Sequence, residues 1–482
     1  DPVAIDEIKK FIAEQDLNKD QRYMPKIMHN YGNKIAVVGA GPAGLSCAYY
    51  LAIDGYQVTV FEKQQVLGGM LTLGIPSFRL EKNVVNAEID ILKELGVQFK
   101  TGVEVGKDVS LNDLRGQGFQ AFYLEIGAQA SRKLNIEGEN AEGVIAGVDF
   151  VRSVNLNEDV RLSGKVVVIG GGNVAIDVAR SAARVGAGQV DMYCLESRAQ
   201  MPALEEEIEE ALAEEIIINN GWGPKRIVTD NGRVTGVEFK KCVSVFDENG
   251  RFNPQYDETD TQLVPADYVL VSIGQAIDWG SLLEGCGAQL NPNKTIQADP
   301  LTYQTGQPDV FAGGDAHTGP RFAIDAIAAG KQAAISIHRF VHPGQSLTIG
   351  RSNRDYIALD KSDLFLDSYD RMPRQKAAHL NGGKSKDSFK DLRLTFTEEQ
   401  VRKETERCLG CGATVVDEAL CVGCGVCTTK CKFDAISLVR KYDGVGAALP
   451  DMKPIVIKHM LKRKVKIVGK KVSRSLKSIL KH

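Results

Sequence analysis

The feature that most constrains this 482-residue chain is a pattern it carries twice, 131 positions apart. Lys34-Ile-Ala-Val-Val-Gly-Ala-Gly-Pro-Ala-Gly-Leu45 and Lys165-Val-Val-Val-Ile-Gly-Gly-Gly-Asn-Val-Ala-Ile176 each read as an apolar run, a glycine turn and the start of a helix. The runs at 35–38 and 166–169 do not alternate apolar with polar, as expected for parallel strands covered on both faces. The expectation is an α/β chain with two Rossmann-like units. Strand-like runs follow at 190–195, 234–239 and 268–273, then Val310-Phe-Ala-Gly-Gly-Asp315 and a helix from Phe322 to about Phe340. That late return to strand, turn and helix predicts that the second unit is inserted in the first.

The expected divisions are an N-terminal helical segment (1–32), a first dinucleotide unit (33–148 and 277–342) and a second (149–276). A polar stretch with Pro343, Pro373 and Gly382-Gly383 reads as a linker or wrapping arm (343–396). A small α+β module (397–450) and a basic tail (451–482) complete the chain. Thr397-Glu-Glu-Gln400 is a capping box that starts a helix leading to Cys408.

In the first turn Gly39, Gly41 and Gly44 stand at G-x-G-x-x-G spacing around Pro42 and Ala43. Lack of a Cβ permits the tight turn and the close approach of a pyrophosphate, which the N-terminus of the next helix attracts. The following strand ends at Glu62, about 20 residues on, where a carboxylate meets ribose hydroxyls. The second turn has Gly170, Gly172 and Ala175, with Asn173 and Val174 between, and its next strand leads into Glu196, Ser197 and Arg198. An acid at Glu196 accepts from both ribose hydroxyls of NAD and repels the 2′-phosphate of NADP. NAD(H) is therefore expected over NADP(H), with Arg198 the residue that argues for the phosphate.

With 59 Lys and Arg against 62 Asp and Glu, the chain lacks the global basic field of a nucleic-acid binder. No apolar run approaches the ~20 residues that span a bilayer, and no leader with a charged start and apolar centre follows Asp1. A cytoplasmic protein is expected, with a truncated start left open.

Of ten cysteines, Cys47, Cys194, Cys242 and Cys286 are scattered and read as small core residues. Cys408, Cys411, Cys421, Cys424, Cys427 and Cys431 fall within 24 positions. Cys421-x2-Cys424-x2-Cys427-x3-Cys431 has the spacing with which one loop wraps a [4Fe–4S] cube. Six cysteines do not fill the eight positions of two cubes. The readings left open are one cube with spare cysteines, one cube with a smaller or mixed-ligand centre, one cube with zinc through Cys408 and Cys411, and a second cube completed from outside. Lys432 stands where proline usually follows the last cysteine.

These residues together resemble the glutamate synthase small subunit family, which includes the flavin halves of dihydropyrimidine dehydrogenase and of ferredoxin:NAD(P) transhydrogenases. The resemblance covers about residues 1–340. It rests on Val38–Leu45, Gly68-Gly-Met-Leu-Thr-Leu-Gly-Ile-Pro-Ser-Phe-Arg-Leu80, Gly170–Ala175, Met201-Pro-Ala203 and Gly313-Gly-Asp315. It implies FAD in the first unit, with Glu62 on the adenosine ribose, Gly68, Gly69, Met70 and Arg79 near the flavin, and Asp315 on the ribityl or pyrophosphate portion. Lys63, Val103, Gly127, Gly274, Gly314 and Ala326 are further implied contacts, and the nicotinamide nucleotide falls to the second unit. Two arginines usual before the Met-Pro pair in NADP-using members are here Leu195 and Glu196, a departure on the side of NAD(H). The opening segment Asp1–Glu14 resembles the helix that in the family follows an N-terminal [4Fe–4S] domain; that domain is lost, lies upstream, or belongs to another subunit.

The function expected is an FAD-dependent NAD(P)H oxidoreductase subunit that passes electrons between nucleotide, FAD and cluster to a partner such as ferredoxin, with electron bifurcation open. It would work among other subunits of an electron-transfer complex, without nucleic acid. The alternatives are a glutamate synthase small subunit and a non-catalytic electron-relay scaffold. No dithiol motif lies in either dinucleotide unit, and hydride transfer needs no acid or base, so no catalytic side chain is assigned. From Lys453 to His482 there are eleven Lys or Arg and no acid. Residues 453–468 alternate weakly, whereas Val472, Leu476, Ile479 and Leu480 have helical spacing, which suits an acidic partner or peripheral contact with a membrane.

Overall fold

Both repeated patterns fold into strand, turn and helix. α1 (Ile5–Leu17) leads into β1 (Lys34–Val38), whose turn opens α2 (Pro42–Asp54). Then come β2 (Gln57–Glu62), α3 (Met70–Leu73), α4 (Lys82–Glu94), β3 (Gln98–Thr101), α5 (Leu111–Gly116) and β4 (Phe119–Leu124). The chain crosses through β5 (Ala130–Ser131) into β6 (Val144–Ala146), α6 (Gly147–Asn155), β7 (Lys165–Ile169) and α7 (Asn173–Arg184). β8 (Gln189–Cys194), α8 (Glu205–Ala213) and β9 (Ile217–Asn220) follow. β10 (Trp222–Asp230), β11 (Arg233–Phe246) and β12 (Phe252–Pro265) precede β13 (Tyr268–Val271). β14 (Gln275–Ala276) returns the chain to β15 (Val310–Ala312), α9 (Asp315–Thr318) and α10 (Ala323–Val341).

This computed structural model describes residues 2–27, 29–351, 372–379, 386, 388–391, 393–408, 421–430, 436–438 and 451–479, the last with side chains to 468. The chain divides into two units, Asp1–Cys408 and Leu409–His482.

In the first unit two five-stranded sheets form, ordered β15-β4-β1-β2-β3 and β6-β13-β7-β8-β9, with every pairing parallel. Ile35 to Val37 and Val166 to Val168 are fully buried, so the absence of alternation is the mark of strands covered on both faces. Each buried Val or Ile contributes about 1.5–3 kcal/mol. β5 and β14 pair antiparallel, so the chain leaves and re-enters the first fold side by side, and the second fold is an insertion. β6 belongs to the second sheet, which therefore starts by residue 144 and not at 149. A three-residue strand is too short for periodicity to reveal. β10, β11 and β12 pack a separate antiparallel sheet onto this fold, with Tyr193 and Phe239 stacked at 4.1 Å.

Beyond α10, the described residues of 372–408 lie along α1 and the second fold. Lys10 pairs with Asp391 at 2.9 Å, Glu7 with Arg393 at 3.0 Å, and Arg184 donates to the Ser388 carbonyl at 2.9 Å. α11 (Glu398–Glu406) begins with the capping box read from the sequence, Thr397 accepting from Gln400 N and Gln400 from Thr397 N. In the second unit α12 (Val426–Lys430) follows Cys421 and Cys424 and carries Cys427, and α13 (Met452–Ile479) is one continuous helix. The weak alternation at 453–468 is thus helical, because Ile457, Leu461, Val465 and Val468 also fall three or four apart.

Candidate dinucleotide and iron–sulfur sites

Each glycine turn lies where its central strand, β1 or β7, has neighbours on both sides, the switch point at which open parallel sheets hold ligands. Gly39 has φ +108°, and a Cβ there would lie 1.8 Å from the Glu125 carbonyl oxygen at the end of β4. Gly170 has φ +145°, and its Cβ would lie 2.3 Å from the Ser272 carbonyl oxygen after β13. Both turns therefore require glycine, and for the same reason. No side chain caps α2 or α7, which leaves their first N–H groups for an anion.

Between the two folds lies a cavity of about 730 Å³, in the range of cofactor sites. The first fold supplies Gly39, Gly41, Pro42, Glu62, Lys63, Gly69, Met70, Val103, Gly127, Asp315 and Ala326 to its wall; the second supplies Val174, Asp177 and Val271. Ala43 and Gly44 are buried in the first turn of α2, and Gly314, with φ +58°, precedes α9. Glu62 accepts from Ala40 N and Gln64 N, each at 2.8 Å, so it braces the turn that it also faces. Burial pushes its carboxyl up, against those two bonds. Lys63 pairs with Glu104 at 2.6 Å. Asp315 accepts from Arg321 N at 3.1 Å, and burial raises its carboxyl too.

Sequence reasoning missed Glu125. It directly follows β4, is 4% exposed, and lies beneath both glycine loops: a Cβ on Gly41 would come within 2.8 Å of its Oε2, and one on Gly314 within 2.9 Å of its Oε1. Burial, then the charges of Asp315 and Glu62, push its carboxyl well above the usual range. A raised carboxyl opposes a nearby pyrophosphate less than an ordinary carboxylate would. The cavity, the glycine floor and the open helix end fit FAD. The only signal in the sequence was an acid set between an apolar strand and Gly127.

In the second fold a Cβ on Gly171 would sit 2.9 Å from Glu196 Oε2, so this carboxylate overhangs the turn. Arg198 is bound by both carboxylate oxygens of Glu205, one at 2.9 Å, and Ser197 donates to Gln200 at 2.8 Å. Asn173 accepts from Leu204 N at 2.8 Å, Gly172 precedes α7, and Ala175 is buried behind the turn. Gly274, with φ +111°, lies beside Arg132. Arg79, expected near the flavin, is not in the cavity wall. Its guanidinium donates to both oxygens of Asp177 on α7, at 2.9 and 2.8 Å, and meets Glu207 on α8 at 2.5 Å. It joins the two folds.

Cys47, Cys194, Cys242 and Cys286 are buried, with burial pushing the Cys194 thiol up to about 12. Cys408 ends the first unit and is exposed. In the second unit Cys421 and Cys424 are exposed and Cys427 is half-buried. Gly423 and Gly425 hold positive φ, and Gly423 N donates to Cys421 Sγ at 3.4 Å. Turning glycines and an N–H aimed at sulfur fit a loop that wraps a cluster. Among the described residues no group of three His, Cys, Asp or Glu is arranged to hold a metal; Cys411, Cys431 and Lys432 lie outside them.

The family profile described as pyridine nucleotide-disulphide oxidoreductase matches residues 33–330, and that of the 4Fe-4S binding domain matches 414–437. The chain is 35% identical over 444 residues to the NADP(+)-dependent formate dehydrogenase subunit beta of Moorella thermoacetica, covering 85% of this chain and 62% of that one. It is 33% identical over 355 residues to the glutamate synthase [NADPH] small chain of Escherichia coli, covering 70% and 74%. The chain thus spans less than two thirds of the first relative's length. Among solved structures it is similar to Mycobacterium tuberculosis FprA in complex with NADPH, with a TM-score of 0.56 and 20% identity over 64% of this chain and 84% of that one.

Proposed function

The chain belongs to the pyridine nucleotide-disulphide oxidoreductase family, on the branch of the glutamate synthase small chain, and from that premise we propose that it is the NAD(P)H-oxidising subunit of a larger electron-transfer complex. The observation that carries this reading is the cavity walled by both folds, with Gly41 and Met70 facing it from one and Val174 and Asp177 from the other. FAD held there would exchange a hydride with a nicotinamide and single electrons with an iron–sulfur centre. The chain's own part is placement: α2 and α7 present open N-termini to the two pyrophosphates, and Glu62 and Glu196 stand where the two riboses reach. The acceptor proposed is a ferredoxin or iron–sulfur partner.

For the nucleotide, Glu196 over its turn and Arg198 held by Glu205 support NAD(H). The second reading is NADP(H), favoured by the names of both relatives, with Arg198 leaving Glu205 for the 2′-phosphate. The test is anaerobic addition of NADH or NADPH to the flavin-loaded chain. Bleaching of the flavin absorbance is expected with both nucleotides, at lower concentration with NADH. No bleaching with either would leave the relay scaffold as the better account.

A further inference from the structure

We propose that α13 is a docking helix for an anionic lipid surface, lying in the plane of the membrane with its apolar stripe inward. At 28 residues it is about 42 Å long. Ile457, Leu461 and Val465 are 57%, 58% and 72% exposed, so large apolar side chains on one face have no partner among the described residues. With Val468 they form a stripe that Val472, Leu476 and Ile479 continue at the same spacing. A shorter row, Val456, Met460 and Ile467, runs beside it, separated by Lys453 and Lys464, whose long stems let their charges rise to the headgroups.

The charge selects the occupant. α13 carries ten Lys or Arg and no Asp or Glu. The eleven cations from 453 onward, taken from 59, leave 48 against 62 acids in the rest of the chain, so the tail is the basic part of an otherwise acidic protein. Protein interfaces favour aromatic residues and Arg and are poor in Lys. α13 has no aromatic residue and eight lysines to two arginines, a set of point charges suited to a diffuse anionic surface. Among the described residues no helix is long and apolar enough to cross a membrane, so the contact is peripheral.

The test is co-sedimentation of the full flavin-loaded chain with phosphatidylcholine vesicles, with and without phosphatidylglycerol. Sedimentation with the anionic vesicles alone is expected, released by salt. The I457E/L461E/V465E variant should lose it entirely, and K462E/K466E should lower it by about fivefold per cation removed. The flavin spectrum reports that the first unit remains folded in both variants, and far-ultraviolet circular dichroism that α13 remains helical. Failure of the wild-type chain to sediment with anionic vesicles overturns the proposal. So does retention of binding in the stripe variant, which would make α13 a polycation that duplex DNA or an acidic protein also captures. Sedimentation with plain phosphatidylcholine overturns the electrostatic part.

Discussion

Glu125 lies where the loops at Gly41 and Gly314 meet, and in the proposed flavin site an ionised group there would oppose a pyrophosphate. Because burial and the charges of Asp315 and Glu62 favour its protonated form, the isosteric change Glu125→Gln should leave flavin affinity within about twofold, whereas Glu125→Ala, which removes a buried polar group, should weaken it by about tenfold. Flavin retained on dialysis measures both; a loss as large in the Gln variant would mean that the charged form is the one in use. At the second turn, Glu205→Gln should free Arg198 and raise kcat/KM for NADPH over NADH several-fold, read from initial rates with each nucleotide. If Arg198 never reaches the nucleotide, the ratio will not move. Glu62 and Glu196 were readable as candidates because Glu62 ends β2 and Glu196 follows β8 by two residues, each about 20 positions past a glycine turn. Glu125 was not, since its neighbours at Gly41 and Gly314 come from loops 84 and 189 positions away.

Between elements, a polar link crosses the two folds. Arg79, after α3, reaches Asp177 on α7 and Glu207 on α8, while Phe78 lies under the guanidinium groups of Arg180 at 4.6 Å and Arg184 at 4.1 Å. The periodicity that revealed α7 and α8 says nothing of which arginine meets them, 98 positions from Asp177, so the site's walls were readable while the joint between them was not. Removing Arg79 takes from the buried Asp177 its hydrogen-bonded partner and leaves Glu207 only Arg180, at 3.8 Å, and Arg79→Ala should cost about 3–5 kcal/mol in thermal or denaturant unfolding. Asp177 also gives this joint a pH signature. Burial pushes its carboxyl up to about 7, against the pull of Arg79. A folded value above the unfolded one means the native state holds the proton longer, so the stability that Asp177 contributes is complete below about pH 4 and lost as pH rises through about 7. Melting temperature followed over that window should fall less steeply in Asp177→Asn, and identical slopes would place the titration elsewhere.

For the whole molecule, the arm and the cysteine-rich unit set what the dinucleotide folds can serve. Glu404 on α11 is fully buried and accepts from Ala4 N and Gln375 N, both at 2.8 Å, with Arg407 beside it. One carboxylate thus fastens the start of the chain and the arm to the helix that leads to Cys408. Glu404→Ala should destabilise by about 2–5 kcal/mol and expose residues near 375 to proteolysis first. Downstream, the iron–sulfur profile spans residues 414–437, which contain Cys421, Cys424, Cys427 and Cys431 but neither Cys408 nor Cys411. That division makes the two groups separable. In Cys424→Ser the nucleotide should bleach the flavin at an unchanged rate, because every residue of that cavity lies in the first unit, while reduction of a one-electron acceptor should fall and a cube's worth of iron and sulfide should be lost. In Cys408→Ser iron and sulfide remain unchanged if the chain holds one cube. A loss of zinc or of further iron would establish a second centre, completed by Cys411 and ligands from beyond the six cysteines. A slowed bleaching in Cys424→Ser would mean that the cluster-bearing unit shapes the flavin site itself, and the division into a hydride-accepting body and an electron-exporting unit would then have to be abandoned.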